Sequence, residues 1–320
     1  MHFRLALLMF VLFAPPVRAW DSLGHMIVGQ IAYENLQPPA RAAVDEALAR
    51  FNEAKRSDFT PAEVPYTAIT AGCWMDDIRA LPDKYEFGPW HYVNLPFNRE
   101  GLPIPDGNQQ PHVIWGIDRC LAILAGRATD PAIDRDQALV MLFHLVADVH
   151  QPLHTTSRND DAGGNKVPVT NLEPSKADLA FSKKRTGSLH SFWDSAYRRV
   201  ERDGKIGVEY ELPELVVSRP VTTHNAALDL VKSEVAAIGS QYPVPPTAPN
   251  PGRAADWARE SHEIGFDFAY GKLPTDSDTG RPVELDADYV REARDISRRR
   301  IALAGYRLAG VLNEVFASGR

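Results

Sequence analysis

Histidine and aspartate residues with helical spacing stand out in residues 144–154, HLVADVHQPLH. His144 and Asp148 are four residues apart, so on a helix they share one face and can bind one metal ion. Pro152 cannot continue such a helix, which leaves His154 beyond the helix end and free to turn toward a second ion. The segment therefore predicts metal ligands on one helix and just after it.

The same spacing recurs downstream at His190 and Asp194. One His-x-x-x-Asp pair is expected by chance in a chain with 10 histidines, and a single histidine on an apolar helix is more often a packed core residue than a ligand. His150 and His154 are also four residues apart, but the proline between them argues against a helical pair of ligands. Two His–Asp pairs together favour a site with several metal ions, and such a site favours hydrolysis.

The other histidines divide into two groups. No carboxylate or histidine partner is evident in the sequence for His112, His150, His224 and His262. The candidate ligands are His25, His91, His144, His154 and His190 with Asp76, Asp148 and Asp194. Imidazoles and carboxylates in this mixture are typical of Zn²⁺. Eight side chains are too few for three separate four-coordinate ions, so one carboxylate bridges two ions or another group contributes.

Apolar periodicity predicts helices around these residues, in an all-α fold with a small β element. The predicted helices cover residues 22–36, 40–51, 67–81, 111–126, 136–151, 188–200, 223–239, 252–270 and 284–317. Alternation from Trp90 to Phe97 predicts a short strand, and residues 155–187 are predicted to be rich in loops. No internal repeat divides the chain, so we expect one multi-helix domain over residues 20–320.

Residues 1–19 have the pattern of a cleaved secretory signal peptide. A basic residue is followed by an apolar run over residues 5–14, which is too short to span a bilayer. Val17 and Ala19 place small residues at the cleavage site. Cleavage there makes Trp20 the first residue of a secreted or periplasmic protein.

The formal net charge of −7 argues against broad electrostatic binding of nucleic acid. Residues 1–19 contain two arginines and no acid, so their removal makes the net charge −9. A local cationic site made by metal ions remains compatible with this charge. The two cysteines, Cys73 and Cys120, are equally compatible with a disulfide and with two buried thiols.

Several short motifs share one order along the chain. They are Trp20-Asp-Ser-Leu-Gly-His25, Cys73-Trp-Met-Asp76, Trp90-His-Tyr-Val-Asn94, His144 to His154, Gly163-Gly-Asn-Lys166, His190-Ser-Phe-Trp-Asp194, Gly305-Tyr-Arg-Leu-Ala309 and Asn313-Glu314. In order and spacing the set resembles the zinc-dependent single-strand nucleases and 3′-nucleotidases. These are the mung-bean-type and fungal extracellular nucleases of the zinc phospholipase C superfamily. The absence of an Asn-x-Ser/Thr sequon fits a bacterial-like member.

The resemblance implies three zinc ions in a cleft. The first would be held by Asp76, His91, His144 and Asp148, and the second by His154, His190 and Asp194. The third would take His25, a shared oxygen of Asp148, and the amino nitrogen and carbonyl oxygen of Trp20. Two ions that share Asp148 would lower the pKa of a bridging water, and the resulting hydroxide would attack phosphorus. The expected activity is hydrolysis of single-stranded DNA and RNA, and of 3′-nucleotides, with 5′-phosphate ends on the cleaved strands.

The resemblance also implies residues that contact the substrate. Arg79 matches a basic position that contacts phosphate, the alternative being a surface arginine. Tyr92 matches an aromatic that stacks on a base, the alternative being a core tyrosine. Asn94 replaces an acid of the fungal pattern, which leaves base preference open. Further candidates for substrate binding are Asn165 and Lys166. The residues expected in a catalytic role are Asp76, Asp148 and Arg79.

Two other functions compete with this hypothesis. A zinc phospholipase C has a similar fold, but those enzymes space the first Trp and His more widely and end their ligand set in Glu. In this sequence Trp20 and His25 are five apart and the last ligand is Asp194, which favours the nuclease. A zinc-sequestering protein would need neither an N-terminal ligand nor a base-stacking tyrosine. We expect a monomer with nucleic acid as substrate and no protein partner.

Overall fold

The structure is mostly helical. The computed structural model describes residues 20–55, 65–80, 87–97, 111–159, 161–176, 187–212, 224–244, 253–274 and 280–317. The α-helices of these residues are α1 (Ser22–Glu34), α2 (Pro38–Lys55), α3 (Trp74–Asp77), α4 (Val113–Leu124), α5 (Arg135–Asp148), α6 (Leu189–Trp193), α7 (Leu228–Gln241), α8 (Ala254–Ile264) and α9 (Ala287–Phe316). Short 3₁₀ helices are Ala71–Cys73, Ile78–Ala80, Gly88–His91, Pro152–His154 and Ala196–Arg198, and a π-helical segment, Gly265–Tyr270, continues α8.

Helix α5 is the buried centre of the fold. Its N-cap is Asp134, whose side chain accepts a hydrogen bond from the amide of Gln137 at 2.7 Å. Every residue from Gln137 to Asp148 is buried, because α1, α2, α4 and α9 all pack against this helix. As the sequence predicts, Pro152 does not continue the helix: α5 ends at Asp148, and Pro152 begins a 3₁₀ helix.

Two small sheets accompany the helices of the described residues. β1 (Leu95–Pro96) pairs in parallel with β2 (Thr156–Ser157), and β3 (Arg199–Arg202) pairs antiparallel with β4 (Lys205–Val208). The predicted all-α fold with a small β element is therefore confirmed.

The predicted helix over residues 67–81 is wrong as a single element. A 3₁₀ turn over Ala71–Cys73, the four-residue α3 and a second 3₁₀ turn occupy residues 71–80 instead. Gly72 lies in the first 3₁₀ turn, where a Cβ would meet Phe143 O at 3.3 Å and His25 Cβ at 3.4 Å. The segment therefore approaches α1 and α5 closely at this glycine.

Two other predicted elements are also shorter than expected, and a predicted loop contains a short strand. The predicted strand from Trp90 to Phe97 is confined to β1, because Gly88–His91 forms a 3₁₀ helix that contains Pro89. The predicted helix 188–200 ends at Trp193 and continues as a 3₁₀ helix and β3. The predicted loop 155–187 includes β2, while its residues 177–186 lie outside the described residues.

Two apolar clusters form the interior. The larger includes sequence neighbours of His25, Asp76 and Asp148, and the smaller includes sequence neighbours of His154 and His190. Some of the segments that carry candidate ligands thus belong to the larger cluster and the others to the smaller. A metal centre that used ligands from both sets would connect the two clusters.

Two further predictions concern thiols and the membrane. Cys73 and Cys120 are both buried free thiols, so the thiol alternative is the one found. Burial raises the pKa of each, which keeps both protonated at neutral pH. Within the described part of the chain, the helices are too short or too polar to cross a bilayer. The predicted signal peptide, residues 1–19, lies outside the described residues.

Candidate metal centre

One buried carboxylate, Asp148, is surrounded by imidazoles. Its Oδ2 lies 3.1 Å from both His91 Nδ1 and His144 Nε2. Its Oδ1 lies 3.5 Å from His25 Nε2, and His154 Nδ1 is 3.8 Å from Oδ2. The nitrogens His91 Nδ1 and His144 Nε2 are only 2.8 Å apart. Side chains from α1, α5 and two 3₁₀ helices therefore converge on a single carboxylate.

Three of the histidines are oriented by backbone carbonyls. Nδ1 of His144, His154 and His190 lies 2.6 Å from the carbonyl oxygen of Gly72, His91 and Gly163, respectively. A carbonyl can only accept, so Nδ1 must carry the proton in each ring. The neutral ring then presents an unprotonated Nε2, and a backbone partner of this kind is typical of metal-binding histidines.

Three groups of ligand atoms lie close enough together to hold ions. They are His25, Asp76 and His144; His91, His144 and Asp148; and His154, His190 and Asp194, each with ligand atoms within 4.8 Å of one another. Tetrahedral zinc with bonds of about 2.0–2.1 Å separates its ligands by about 3.3 Å. The 2.8–3.5 Å contacts of His25, His91, His144 and Asp148 bracket that separation.

The third group contains the three side chains that the resemblance assigns to the second ion. The second group contains three of the four side chains implied for the first ion. Only the first group differs from the implied sets, because it places His25 with Asp76 and His144. The rings of His25 and His144 also stack, with centroids 4.1 Å apart.

Several buried polar atoms of the centre make no hydrogen bond. They are both ring nitrogens of His25, Nε2 of His91 and Oδ1 of Asp148. Leaving such atoms unsatisfied typically costs about 1–3 kcal/mol each. Coordination to metal ions would compensate this cost, so the donor set fits a metal centre.

The pKa shifts of His25, His91 and Asp148 favour the protonation states that metal binding needs, whereas burial is outweighed by Asp148 at His144 and the pKa of that ring is raised. Burial, followed by repulsion from His144, lowers the pKa of His25 to about 3 and that of His91 to about 4, so both rings are neutral at pH 7. Burial would raise the pKa of Asp148, but His144 and the other imidazoles outweigh it and hold that pKa well below the usual value. Neutral imidazoles and an ionised carboxylate can bind a cation without first losing a proton.

The candidate residues Asp76 and Arg79 form a buried ion pair. Arg79 Nη1 donates to Asp76 Oδ1 at 2.7 Å, and both side chains are almost inaccessible. Asp76 lies on α3 and Arg79 on the 3₁₀ turn that follows, so one bend of the chain positions both. The alternative of a surface arginine is wrong, because Arg79 is 1% exposed.

Two supporting residues were missed from the sequence. Gln151 Nε2 donates to Asp194 Oδ1 at 2.8 Å, while its Oε1 accepts from the amide of Leu153. Asp161 is buried and accepts hydrogen bonds from the amides of Arg158 and Gly164 at 3.1 and 3.0 Å. The contact of Gln151 with Asp194 joins residues 43 apart and is made only by folding, whereas the Asp161 contacts with Arg158 and Gly164 are local.

The family of this chain follows from comparison over most of its length. The S1/P1 Nuclease family model matches residues 20–317. The chain belongs to the S1/P1 nuclease family. This membership supports a nuclease activity on nucleic acids.

Named relatives of this S1/P1 nuclease family member come from plants and fungi. Endonuclease 2 of Arabidopsis thaliana is 25% identical over 320 residues, which covers 95% of this chain and 92% of the relative. Endonuclease 4 of Arabidopsis thaliana is 25% identical over 93% of this chain and 90% of the relative. Nuclease P1 of Penicillium citrinum is 23% identical over 93% of this chain and 98% of the relative.

In this S1/P1 nuclease family member, Trp20 is held between two candidate ligand segments. Its side chain is fully buried, and its Nε1 donates to Ala147 O at 3.0 Å, next to Asp148. The amide of Asp21 donates to Asp194 O at 2.8 Å. The Asp21 carboxylate also caps α1 and accepts from Arg198 at 2.8–2.9 Å.

The predicted substrate residues of this family member differ in exposure. Tyr92 is half-buried and Asn94 is exposed, both on the segment that leads from His91 to β1. Asn165 is half-buried and its Nδ2 donates to Ala162 O at 2.7 Å, while Lys166 is exposed. The tryptophans expected in the core are buried, namely Trp74, Trp90 and Trp193.

Two of the four remaining histidines require comment. The expectation that His224 has no carboxylate partner is wrong, because its Nε2 lies 3.0 Å from Asp77, a residue distant in sequence. Both ring nitrogens of His150 have protein partners outside the three groups of ligand atoms, since Nδ1 donates to Val146 O and Nε2 accepts from Arg307. The sequence argument against pairing His150 with His154 therefore agrees with this placement.

Proposed function

We propose that this chain is a secreted, trinuclear zinc phosphodiesterase that hydrolyses single-stranded DNA and RNA. Strand cleavage would leave 5′-phosphate ends, and 3′-nucleotides would be a second substrate. The observation that carries the proposal is the position of Asp148, fully buried with four imidazoles within 3.8 Å of its carboxylate. An uncompensated carboxylate at such a place would be costly, whereas one shared between ions is stable.

The proposed ligands follow the three implied sets. Asp76, His91, His144 and Asp148 would hold one ion, His154, His190 and Asp194 a second, and His25, Asp148 and Trp20 a third. The close contacts of these side chains support the assignment, although His25 also lies within ligand distance of Asp76 and His144. Mature Trp20 would contribute its free amino group and its carbonyl oxygen.

The chemistry divides between the ions and the chain. Bound zinc would supply an activated water near neutral pH and a net charge of about +3 against three carboxylates, which attracts phosphate in an acidic protein. Asp76 would keep Arg79 oriented toward the phosphate through their 2.7 Å ion pair. Tyr92 would stack on the face of an unpaired base, and this face is not accessible when the base lies inside a duplex. Asn94, Asn165 and Lys166 would contact the strand.

Export is part of the proposal. Residues 1–19 would be removed as a signal peptide, which leaves Trp20 as the N-terminus of a secreted or periplasmic monomer. Zinc loading would then occur on the processed chain.

The proposal is tested with processed protein and three substrates. Single-stranded DNA, RNA and phosphatidylcholine are each incubated with the zinc-loaded and the chelated protein, followed by end-group analysis. We expect 5′-phosphate ends from the zinc-loaded protein and loss of cleavage after chelation. Hydrolysis of phosphatidylcholine without strand cleavage would instead identify a phospholipase, and zinc binding without hydrolysis would identify a sequestering protein.

A matched pair of variants separates the site from the fold. His144→Ala removes a proposed ligand, and we expect it to abolish cleavage. His112→Asn is the control, because His112 accepts a hydrogen bond from the amide of Trp115 as the N-cap of α4 and asparagine can serve as an N-cap too. Equal activity of the two variants would contradict the proposed centre.

A further inference from the structure

A cluster of three aromatic rings and one arginine lies at the far ends of β1 and β2. We call Phe97, Arg158, Phe266 and Tyr270 the aromatic–arginine platform. The rings of Phe97 and Phe266 stack with centroids 4.4 Å apart and planes 23° apart. Tyr270 meets Phe97 edge to face at 5.4 Å, and the Arg158 guanidinium lies 4.8 Å from the centre of the Tyr270 ring. Phe97, Phe266 and Arg158 are only half-buried, so the platform reaches the surface.

The two strands connect the platform to the metal centre. β1 begins four residues after His91 and β2 begins two residues after His154, and the two strands run parallel. Both therefore run from a proposed zinc ligand toward the platform, where Phe97 and Arg158 directly follow the paired residues. The amide of Phe97 donates to Ser157 O at 3.0 Å, which extends the pairing to the platform itself.

The platform is a built feature rather than a chance contact of surface side chains. Asp161, which is buried, accepts from the Tyr270 hydroxyl at 2.8 and 2.9 Å and from the Arg158 amide at 3.1 Å. One carboxylate thus fixes both the ring and the backbone of the arginine that stacks on it. Phe266 lies on the π-helical segment, a form of helix that is rare and frequent at functional sites. Its neighbour Gly265 packs closely against β2, since a Cβ added to this glycine would lie 2.2 Å from Thr156 Oγ1.

The platform lies within reach of a strand that is bound at the base-stacking residue. Tyr92 and Phe97 are five residues apart, so their Cα atoms are at most about 18 Å from each other. Tyr92, Asn94 and Pro96 are the more exposed residues between the buried His91, Val93 and Leu95. The segment between the metal centre and the platform therefore has one solvent-facing side.

We propose that the aromatic–arginine platform is a second nucleotide subsite for single-stranded nucleic acid. A base would stack on the exposed part of the Phe97–Phe266 pair, and Arg158 would contact the adjoining phosphate. Asp267 is exposed next to Phe266, so charge repulsion places the phosphate on the Arg158 side. This inference rests on the proposed nuclease function, and it assigns to the protein a preference for strands over dinucleotides.

Substrate length provides the test. The value of kcat/KM is measured for a thymidine dinucleotide and a thymidine 12-mer, and their ratio is the readout. Phe266→Leu keeps apolar bulk but removes the ring, and we expect the preference for the 12-mer to fall about fivefold or more, the fold-change equivalent to about 1 kcal/mol. Phe266→Tyr keeps the ring and should keep the preference. Ile264→Ala, a truncation of a half-buried side chain in the same helix outside the platform, is the control.

Arg158 is tested by the salt dependence of binding. The dissociation constant of a phosphorothioate 12-mer is measured over a range of salt concentrations. Each phosphate contact to a single strand contributes a slope of about 0.7, so Arg158→Gln should reduce the slope by about that amount. An unchanged slope, or an unchanged length preference in Phe266→Leu, would overturn the subsite. Failure of the wild-type protein to cleave either substrate would instead overturn the proposed function.

Discussion

At the scale of single residues, Asp148 combines complete burial with contacts to four imidazoles. No other described carboxylate is placed in this way. If it bridges two ions, its removal should affect both of them, whereas an ordinary ligand affects one. We expect Asp148→Ala to abolish nuclease activity and to lower the zinc content by more than one ion per chain, as measured by elemental analysis. Asp229→Ala, which removes an exposed carboxylate of α7, is the control. Loss of a single zinc would contradict the bridge.

Tyr92 tests how the chain recognises an unpaired base. The side chain is half-buried directly after His91, so part of the ring remains available to a substrate. We expect Tyr92→Ala to weaken binding of single strands by about 1–3 kcal/mol, the usual contribution of one base–aromatic stack. Binding is measured by titration with an oligonucleotide. Tyr92→Phe retains the ring and should bind as the wild type does. Equal affinity of the alanine variant, with the fold intact, would place Tyr92 among the core residues.

At the scale of elements, the loop over residues 161–164 orients a histidine of α6. The Gly163 carbonyl oxygen accepts from His190 Nδ1 at 2.6 Å, and Gly163 has a φ of +64°. A Cβ at this glycine would lie 2.4 Å from Leu153 O, so the close approach requires glycine. Asp161 holds the loop through the amide of Gly164. The position of His190 therefore depends on a carboxylate that is not itself a proposed ligand.

Asp161→Asn tests this dependence. The substitution keeps the shape but replaces an acceptor oxygen with an amide donor, so the loop loses one of its anchors. We expect zinc affinity at the site of His154, His190 and Asp194 to fall about 10- to 100-fold, the range typical of partners that orient metal ligands. Affinity is measured by competition with a chelator.

Asp45→Asn is the matched control, since Asp45 also accepts a tyrosine hydroxyl but at the surface. An equal weakening of all the ions would point to general destabilisation instead, and unchanged affinity would exclude the orienting role.

At the scale of the whole molecule, Trp20, the proposed first residue of the mature chain, lies inside the fold. Trp20 is fully buried beside Ala147, and the next residue is bonded to Asp194. An amino group can ligate zinc only when it is free and unprotonated, and the peptide nitrogen of an internal tryptophan has no basic lone pair. The N-terminal position of Trp20 would thus couple export to assembly of the metal centre.

We therefore expect a protein that begins Met-Trp20 to lose one zinc and its activity on single-stranded DNA. The comparison is with export-processed protein, both refolded with zinc. Zinc content is measured by elemental analysis, and circular dichroism checks that helical content is the same in both. Equal zinc content and equal rates would show that the N-terminus is not a ligand.

The sequence by itself determined the features that depend on short spacing. The four-residue separation of His144 and Asp148 places them on one face of α5 because an α-helix has 3.6 residues per turn. Pro152 ended the helical pattern for a local steric reason, and this placed His154 beyond the end of α5. The order of motifs over the chain was enough to indicate the family. These features need no knowledge of which helix packs on which.

Only the tertiary structure decided the features that depend on contacts distant in sequence. His144 is oriented by Gly72 O, 72 residues away, and His224 is paired with Asp77, 147 residues away. Periodicity predicted one helix over residues 67–81, but the described residues form short turns that pack closely on α1 and α5 at Gly72. Local propensity is worth a few tenths of a kcal/mol per residue, whereas burial and hydrogen bonding in a packed interior are worth more, so packing prevails where the two conflict.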